Sequence, residues 1–470
     1  MNERHDVIVV GGGVAGLTVA WRLRQRRPDL SVVALEATDR AGGRIRTEIV
    51  DHHAGQFIIE LGADSILATK PWARELCLDL GMQEELISVE PADRPTAFWR
   101  AGQPVDLPAG LSLLAPANPD ALLASPLLSR AGSLRALQER SVPARQGDDD
   151  ESLGSFVRRR FGQEYLERIA EPLLAGIYNA DPDELSLQAS FPQFLKMEQE
   201  YGSVSEGVRH APASTNRAPF FALRRGIQQL PDTLVEQLGT TVRTRCRVEL
   251  LERVELDGYR VTLTTGEQIS APVVVMATPL WATRALLPAV APASRPLLGR
   301  FKVAASGAVV LAWPVNQIDR PLPGYGLVVP KRESQPFNAI TIMSRKYAGR
   351  APKGWSLMRF FFGGHRSPQT LQLDDGALLL AAREFASVAI GATGAPELVR
   401  ISRWNEGSPI YQVGHLEQIS ELDASLPEGL YLTGAPFRGP GIPDVVRSAT
   451  ELANRIAASF VPATAQERTV

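Results

Sequence analysis

The sequence predicts an α/β protein whose first domain has a Rossmann-type architecture, and two observations carry this prediction. The apolar, β-branched run Asp6–Val10 leads directly into Gly11–Gly16, which has the pattern G-x-G-x-x-G, and apolar residues at helical spacing follow. A second short apolar run, Ser31–Leu35, ends at Glu36, 20 positions after Gly16. Strand, glycine turn, helix, strand and acidic residue therefore occur in the order that a dinucleotide-binding fold requires.

The glycine segment suits the binding of a pyrophosphate. Gly11 permits a tight turn, Gly13 lets the backbone approach the phosphates, and Gly16 lets the helix pack closely on the strand. The helix N-terminus offers free N–H groups, and Glu36 can accept hydrogen bonds from ribose hydroxyls but would repel a 2′-phosphate. An ordinary glycine-rich turn is the alternative. The residues predicted to bind the cofactor here are Gly11, Gly13, Val14, Ala15, Gly16, Glu36 and Ala37.

Composition and charge exclude several classes of protein. With 50 Lys and Arg against 52 Asp and Glu, the formal net charge is −2, which gives no general attraction to nucleic acid. No run approaches 18 uninterrupted apolar residues, so no transmembrane helix is expected, and the first strand starts too early for a secretory signal. Cys77 and Cys246 form no redox motif, and the acidic loop 148–151 lacks metal-ligand spacing, so no metal site is predicted. We expect a cytoplasmic protein.

A second glycine turn indicates which dinucleotide is bound. Arg40–Thr47 resembles the R-x-G-G-R-x-x-T sequence that follows the Rossmann motif in flavin amine oxidases and their relatives. The resemblance implies FAD, with Gly43 and Arg44 beside the pyrophosphate, and a basic surface loop is the alternative. The turn 62–65 matches one that touches the flavin in this group, and an ordinary structural turn is the alternative. The cofactor contacts predicted there are Gly62, Ala63, Asp64 and Ser65.

The C-terminal segment is predicted to complete the same site. Gly429–Gly434 is typical of a strand and turn, and Gly439–Asp444 opens a helix whose N-terminus can stabilise negative charge on a reduced flavin. Neither cysteine lies near this segment, so FAD is expected to be noncovalent. By resemblance, Val248 meets the adenine and Trp404 touches the flavin, although core packing is an alternative for Trp404. The C-terminal contacts predicted are Gly434, Ile442, Pro443 and Asp444.

Three stretches of the chain resemble a narrower family. Leu173–Pro182, Phe191–Glu198 and Trp404–His415 are similar to segments of the oxygen-dependent protoporphyrinogen and coproporphyrinogen oxidases. The resemblance implies oxidation of protoporphyrinogen IX to protoporphyrin IX, with oxygen as acceptor and hydrogen peroxide as product. Coproporphyrinogen III is the alternative substrate, and an amine oxidase or a non-enzymatic FAD-fold binding protein is a more distant alternative. Because the cofactor carries the redox chemistry, no catalytic base is predicted, and His415 is interpreted as a turn or core residue.

Substrate contacts follow from the same resemblance. Gly176 matches a glycine whose backbone faces the flavin and the macrocycle, and Phe361 matches an aromatic residue that stacks on a pyrrole ring. Ala339 and Ile342 lie in a stretch that forms the pocket wall in the family. Alternation along a strand puts Phe361 on the face opposite to its neighbouring phenylalanines.

The residue that anchors the substrate carboxylates departs from the family pattern. The plant enzymes hold a propionate with an arginine, and gap-free alignment puts Thr96 at that position. Arg94 lies two residues earlier and is predicted to take the role, because a planar guanidinium suits a carboxylate. A solvated surface arginine is the alternative.

Both ends of the chain are predicted to bind one cofactor, so the domains are expected to be interleaved. Residues 162–175 are predicted to form a helix, and the leucine-rich segment 111–137 is predicted to form short amphipathic helices that could pack in a core, line a tunnel or lie on a membrane. Peripheral membrane contact is expected, and the oligomeric state is left open. The predicted domains are an FAD-binding domain of residues 1–84, 221–284 and 403–470, a mixed α/β substrate-binding domain of residues 85–110 and 285–402, and a helical, membrane-binding subdomain of residues 111–220.

Overall fold

The chain is built around a parallel five-stranded sheet, as the sequence predicts. Because the three central strands are buried on both faces, they are continuous apolar runs, and every residue of Val7–Val10 is at most 4% exposed. In spatial order the strands are Val242–Arg243, Val32–Leu35, Val7–Val10, Val273–Met276 and Leu430–Leu432. The computed structural model describes residues 3–92, 96–112, 114–116, 118–210, 219–254, 258–321 and 324–460.

Helices cover one face of this sheet, and a second sheet with further helices covers the other. The helices that share a core with the first face are Val14–Arg26, Trp72–Asp79, Gln229–Leu238 and Ile442–Ser459. The second sheet consists of Glu3–Arg4, Gln268–Ala271, Gly258–Leu263 and Val248–Val254. The helices beside it are Leu280–Leu286, Ser294–Arg300 and His415–Ala424. This nucleotide unit is therefore assembled from distant parts of the chain.

A seven-stranded sheet forms a second unit. Helix Asp375–Ile390 packs on its outer face, where Trp313 and Phe360 belong to the same apolar core. Its inner face meets the nucleotide unit, because Val310 and Leu357 belong to the core of that unit. In spatial order the strands are Leu398–Ile410, Lys302–Pro314, Trp355–Gly363, Ala339–Ile342, Gly326–Val328, Thr96–Arg100 and Gln103–Asp106.

A third, mainly helical unit lies between residues 119 and 210. Residues 162–175 are helical, as predicted, but only Gln163–Tyr165 is an α-helix, and Leu166–Ala175 is a π-helix with Pro172 inside it. Proline has no N–H and its ring clashes with the carbonyl four residues earlier, so this segment cannot keep regular α-helical bonding. The helices of the unit are Pro119–Ala124, Arg130–Leu137, Leu153–Phe161, Gln163–Tyr165, Gly176–Tyr178, Leu187–Ser190, Pro192–Tyr201 and Val204–His210.

The leucine-rich segment contributes mainly to the core of the helical unit. Leu114, Leu122 and Leu128 are buried there, whereas Leu123 and Leu134 are 37% and 47% exposed. Core packing therefore accounts for several of these leucines, and the membrane interpretation stays a prediction. Within the part of the chain that the structure describes, no helix combines the length and the apolar character that a membrane span needs.

Short elements connect these units. Strand Thr47–His52 pairs with Gly55–Glu60 as a hairpin, and Leu111–Ser112 pairs with Ala115–Pro116. Phe220–Leu223 lies between Ile66–Leu67 and Leu86–Ser88 in a three-stranded sheet. Two single-turn α-helices are Met343–Lys346 and Ala435–Arg438. The 3₁₀ turns are Gln83–Glu85, Gln138–Ser141, Gly239–Thr241, Leu287–Ala289, Val315–Gln317, Lys331–Glu333 and Pro368–Gln372.

Candidate active site

Gly13 borders open space at the start of the first helix. A Cβ atom built on Gly13 meets no atom within 4 Å, and no side chain caps the N-terminus of helix Val14–Arg26. The other two motif glycines are structural, because a Cβ on Gly11 would lie 2.5 Å from the Ala277 oxygen and one on Gly16 would lie 2.0 Å from the Gly11 oxygen. The close contacts at Gly11 and Gly16 therefore agree with the tight turn and the close helix–strand packing that the sequence predicts, and Gly13 borders an open cradle.

Glu36 is held in place before any ribose is bound. Its Oε2 accepts a hydrogen bond from the Gly12 amide at 2.9 Å, and its Oε1 accepts from the Thr38 amide and hydroxyl, both at 2.8 Å. The side chain is 9% exposed. A carboxylate oxygen has more lone-pair directions than these donors occupy, so Glu36 can still accept from ribose hydroxyls. Ala37 follows it directly.

The second glycine turn packs against the first. The Gly42 amide donates to the Gly12 oxygen at 2.8 Å, and a Cβ on Gly43 would lie 3.3 Å from the Gly13 Cα. The Arg40 guanidinium donates to the carbonyls of Ala41, Gly43 and Ile45 and so holds the turn. The two glycine turns therefore form one continuous wall beside the Gly13 cradle.

Arg44 connects this wall to the seven-stranded sheet. Its guanidinium donates to the carbonyl oxygens of Glu406 and Gly407, and burial lowers its pKa. The structure thus assigns the Arg44 side chain to the junction between units, where it orients the strand that carries Trp404. The Trp404 indole donates to the Leu61 oxygen at 3.1 Å, which brings Trp404 to the turn predicted to touch the flavin.

The turn 62–65 is fixed by a buried cluster of charges that we call the Asp64 cluster, formed by Asp64, Arg359 and Lys346. The Asp64 carboxylate accepts from Arg359 Nη1 at 2.7 Å and from Lys346 Nζ at 3.1 Å, and Arg359 Nη2 donates to the Gly62 oxygen at 2.9 Å. Burial raises the pKa of Asp64, but the two cations outweigh it and lower the pKa overall. Ser65 donates to Asp64 at 2.5 Å and accepts from Tyr347 at 2.9 Å.

Phe361 and Ala339 lie on the inner face of the seven-stranded sheet. They are directly paired across neighbouring strands, and the burial of Phe360 and Phe362 in the outer core confirms that Phe361 faces the other way. The Arg359 guanidinium lies 4.7 Å from the Phe361 ring centroid. A cation on an aromatic face restrains the ring, so Arg359 links the turn 62–65 to the residue predicted to stack on a pyrrole.

Ile342 does not share this inner face. It is 2% exposed and belongs to the outer core with helix Asp375–Ile390. Because side chains alternate along a strand, Ala339 and Thr341 face inward while Ile342 faces outward. The prediction that Ile342 shares a face with Phe361 is therefore wrong, and Thr341 takes its place on the inner face.

The C-terminal segment comes back to the first helix. Gly434 has a φ of +106°, and a Cβ there would lie 3.7 Å from the Ala15 Cβ. Helix Ile442–Ser459 begins after Gly441, with Pro443 in its first turn, and Asp444 pairs with Lys70 at 2.7 Å. The predicted residues from the two ends of the chain are thereby brought together.

Aromatic residues hold the loop before this helix. The Tyr411 hydroxyl donates to the Ala435 oxygen at 2.7 Å, and His415 stacks on Tyr411 with ring centroids 3.9 Å apart. His415 contacts the Phe437 oxygen through Nε2 at 3.0 Å, and burial lowers its pKa to about 4. His415 is therefore a neutral core residue, as the sequence interpretation proposed.

For two of the remaining predicted residues, the structure gives a position in the fold but no contact with the rest of the candidate site. Gly176 starts the short helix after the π-helix, and Val248 starts strand Val248–Val254 of the second sheet, partly buried. Arg94 lies outside the described residues.

Glu171 in the π-helix is buried, and burial raises its pKa to about 7, although Arg366 lies 3.7 Å away and opposes the shift.

Sequence reasoning missed the side chains that connect the units. Arg359, Lys346, Lys70 and Tyr411 were not predicted as part of the site. One signal was available for Arg359, because the single charged residue in the mostly apolar strand Trp355–Gly363 must find a buried partner. Nothing in the sequence identifies that partner as Asp64.

The arrangement fits a flavin dinucleotide. The open cradle at Gly13, the uncapped helix N-terminus, the oriented Glu36 carboxylate and the packed second glycine turn are the features that an adenine dinucleotide needs. The turn 62–65 contacts this wall at Arg44, the Gly434 segment contacts the first helix at Ala15, and Trp404 reaches Leu61 beside the turn 62–65.

Comparison with known proteins identifies the family. The flavin-containing amine oxidoreductase family matches residues 14–457. The chain is 32% identical to a coproporphyrinogen III oxidase of Propionibacterium freudenreichii over 97% of this chain and 92% of that protein. It is 28% identical to the chloroplastic protoporphyrinogen oxidase of Nicotiana tabacum, over 96% and 85% of the two chains.

A solved structure has the same fold along the whole chain. The crystal structure of a protein from Exiguobacterium sp. 255-15, provisionally named a protoporphyrinogen oxidase, superposes with a TM-score of 0.85 at 28% identity and covers 98% of this chain and 99% of that one. The chain therefore belongs to the flavin-containing amine oxidoreductase family, in its porphyrinogen oxidase group.

Proposed function

We propose that this chain is an FAD-dependent oxidase that converts coproporphyrinogen III to coproporphyrin III. The observation that carries the proposal is the 32% identity to a coproporphyrinogen III oxidase along nearly the whole of both chains. Protoporphyrinogen IX, the substrate expected from the sequence, is the second candidate, because the plant protoporphyrinogen oxidase is 28% identical. The preference for coproporphyrinogen III rests on that difference in similarity.

The cofactor is proposed to be noncovalent FAD. The amides after Gly13 would receive the pyrophosphate, Glu36 the ribose, and the helix that starts at Ile442 the pyrimidine end of the flavin. When bound, the flavin supplies the hydride acceptor and passes electrons to oxygen. Among the described residues, neither cysteine lies in the segment 434–444, and burial raises the pKa of Cys77 to about 12, which makes it a poor nucleophile for covalent attachment.

The protein side of the reaction consists of orientation and exclusion of water. Phe361 is proposed to stack on a pyrrole ring, with its own ring restrained by Arg359. Ala339 and Thr341 would form the adjoining wall, and the backbone at Gly176 would face the macrocycle. Arg94 is retained as the proposed anchor for a propionate. Aromatisation of the macrocycle drives the loss of its pyrrole protons, so no dedicated base is proposed.

Each of the three units has a separate proposed role. The discontinuous unit made of residues 1–84, 221–284 and 403–470 would hold FAD, and residues 85–110 and 285–402 would hold the substrate. The helical unit of residues 111–220 would close the site and contact a membrane at its periphery. Oxygen is the proposed electron acceptor, and a cytoplasmic location is proposed.

Anaerobic mixing with coproporphyrinogen III tests the proposal. We expect the visible absorbance of the bound flavin to be lost when the substrate is added, and to return when oxygen is admitted, with one hydrogen peroxide for each electron pair. Because formation of coproporphyrin removes three electron pairs and the flavin accepts one pair at a time, coproporphyrin fluorescence should rise only after oxygen is admitted. If the FAD-loaded protein keeps its oxidised spectrum with both porphyrinogens, the proposed function is wrong.

A further inference from the structure

Two histidines and a glutamate meet at the junction between the nucleotide unit and the seven-stranded sheet. His52 ends strand Thr47–His52, His53 occupies the hairpin turn, and Glu397 directly precedes strand Leu398–Ile410. One ligand atom from each of the three side chains lies within 4.8 Å of the other two. We call this group the His52 cluster.

The separation of His52 and Glu397 suits two ligands of one ion better than a hydrogen bond. His52 Nε2 lies 3.5 Å from Glu397 Oε2, and this contact is longer than the 2.8 Å that separates His5 Nε2 from Glu3 Oε1 elsewhere in the chain. Two ligands of a tetrahedral ion, each about 2.1 Å from it, lie about 3.4 Å apart. The His52–Glu397 separation therefore already matches a pair of ligands.

The surroundings hold the His52 ring in a fixed position. Trp355 and Phe57 pack edge-on against it, with centroids 4.7 Å and 5.4 Å away, and the Glu397 amide donates to the Ala312 oxygen at 3.0 Å. His53 and Glu397 are exposed, so water can complete the coordination of an ion. The Ala54 amide lies 3.4 Å from His52 Nδ1, a weak contact that an ion on Nε2 would break because Nδ1 then carries the proton.

The ligand set indicates which ions would bind. Two imidazoles and one carboxylate suit borderline divalent ions such as Zn²⁺, Co²⁺ or Ni²⁺, whereas Mg²⁺ and Ca²⁺ prefer sites made of oxygen ligands. The rings of His52 and His53 have centroids only 4.0 Å apart. The two imidazoles are thus close enough to share one ion with Glu397, because one ligand atom of each of the three residues lies within 4.8 Å of the other two.

We propose that His52, His53 and Glu397 bind a borderline divalent metal ion such as Zn²⁺, which joins the hairpin of the nucleotide unit to the edge of the seven-stranded sheet. The histidines are adjacent in sequence, but Glu397 lies far along the chain, so sequence spacing does not reveal the site. The ion is structural in this proposal and takes no part in the flavin chemistry. Because it binds only the folded arrangement, it stabilises the folded chain.

Titration of the untagged, FAD-loaded full chain with Co²⁺ and with Zn²⁺ tests this proposal. We expect one saturable ion per chain, the visible bands of low-symmetry Co²⁺, and a rise in Tm on adding Zn²⁺. Glu397→Gln and His53→Ala should each lower the affinity at least as much as loss of a second-shell partner does, about 10- to 100-fold. His5→Ala is the matched control, because His5 pairs with one glutamate and with Ser31 but belongs to no group of three metal-ligating side chains among the described residues.

The variants separate the proposal from ordinary surface binding. Glu397 and His53 are exposed, so both variants should keep the FAD content and Tm of the metal-free parent. If neither substitution changes the affinity or the Zn²⁺-dependent rise in Tm, or if His5→Ala changes them equally, the assigned site is wrong. Absence of any saturable binding would also overturn it.

Discussion

Gly13→Ala should separate cofactor binding from folding more cleanly than other changes in the glycine motif. A Cβ at Gly13 meets no atom within 4 Å, and the residue has φ −74° and ψ 173°, an extended conformation that alanine adopts without strain. The substitution therefore fills only the cradle into which the pyrophosphate is proposed to fit. The free energy of unfolding of the FAD-free chain should change by no more than about 0.5 kcal/mol.

The expected effect on FAD binding is large. The added methyl group occupies the space through which the backbone N–H groups are proposed to reach the phosphates. Loss of one charge-assisted hydrogen bond costs about 1.5–3 kcal/mol, which corresponds to a rise in the Kd for FAD of about 10- to 100-fold. Gly13→Val adds a larger side chain at the same position, so this variant should purify with little or no FAD.

Two glycine substitutions serve as controls. Gly16→Ala would put a Cβ 2.0 Å from the Gly11 oxygen, so this variant should lose stability whether or not FAD is present. Gly299→Ala, in helix Ser294–Arg300, also faces open space and should change neither FAD affinity nor fold. Fluorescence titration of the apoprotein with FAD, together with urea unfolding of the apoprotein, measures both quantities.

The reasoning is refuted by one clear outcome. If Gly13→Ala folds and binds FAD with the parent Kd, then the open space at Gly13 does not hold the pyrophosphate. If Gly13→Ala instead loses stability in the absence of FAD, as is expected of Gly16→Ala, then Gly13 has a structural role.

Four further predictions concern single side chains or surfaces. Arg359→Met should leave the buried Asp64 carboxylate with Lys346 alone and lower the free energy of unfolding by about 3–5 kcal/mol; Arg359→Met with Asp64→Asn should recover part of this loss in urea denaturation. Burial raises the pKa of Glu171 from 4.5 to about 7, so the free energy of unfolding of the parent should fall as pH rises between these values. Glu171→Gln has no such group, so its free energy of unfolding relative to the parent should increase by about 3 kcal/mol from pH 4.5 to pH 8. A difference that does not change with pH would contradict the shift. Arg94→Ala should lower kcat/KM about 10- to 100-fold with unchanged FAD content, and by less on an esterified porphyrinogen; no loss on either substrate would assign the anchor elsewhere. Liposome sedimentation should show peripheral binding that high salt or mild detergent reverses and that Leu123→Ser with Leu134→Ser weakens; no binding to vesicles of any composition would remove the membrane prediction.

The sequence predicts the nucleotide unit well because its signals are local. Val7–Val10, the glycine turn and the following helix are neighbours in sequence, and each has a pattern of its own. The sequence predicts a helix at residues 162–175 but does not reveal that Leu166–Ala175 is a π-helix, because Pro172 alone does not say how the backbone adjusts.

The candidate site is predicted only in part because its connections are long-range. Arg359 and Asp64 are 295 positions apart, and neither residue indicates the other in the sequence. Ile342 was assigned to the pocket wall, but the pairing of Ala339 with Phe361 fixes the strand faces and turns Ile342 into the outer core. Motif residues can thus be identified from the sequence. The side chains that hydrogen-bond to them cannot, because these contacts depend on strand register and on how the units pack together.

The most direct test of the proposed function is the ratio of kcat/KM for coproporphyrinogen III to kcat/KM for protoporphyrinogen IX, measured with the FAD-loaded protein in air. Two additional propionates offer further charge-assisted contacts, so we predict a ratio of at least about 10 in favour of coproporphyrinogen III. A ratio below one would contradict the proposed substrate and favour protoporphyrinogen IX. Absence of turnover with both substrates would contradict porphyrinogen oxidation itself.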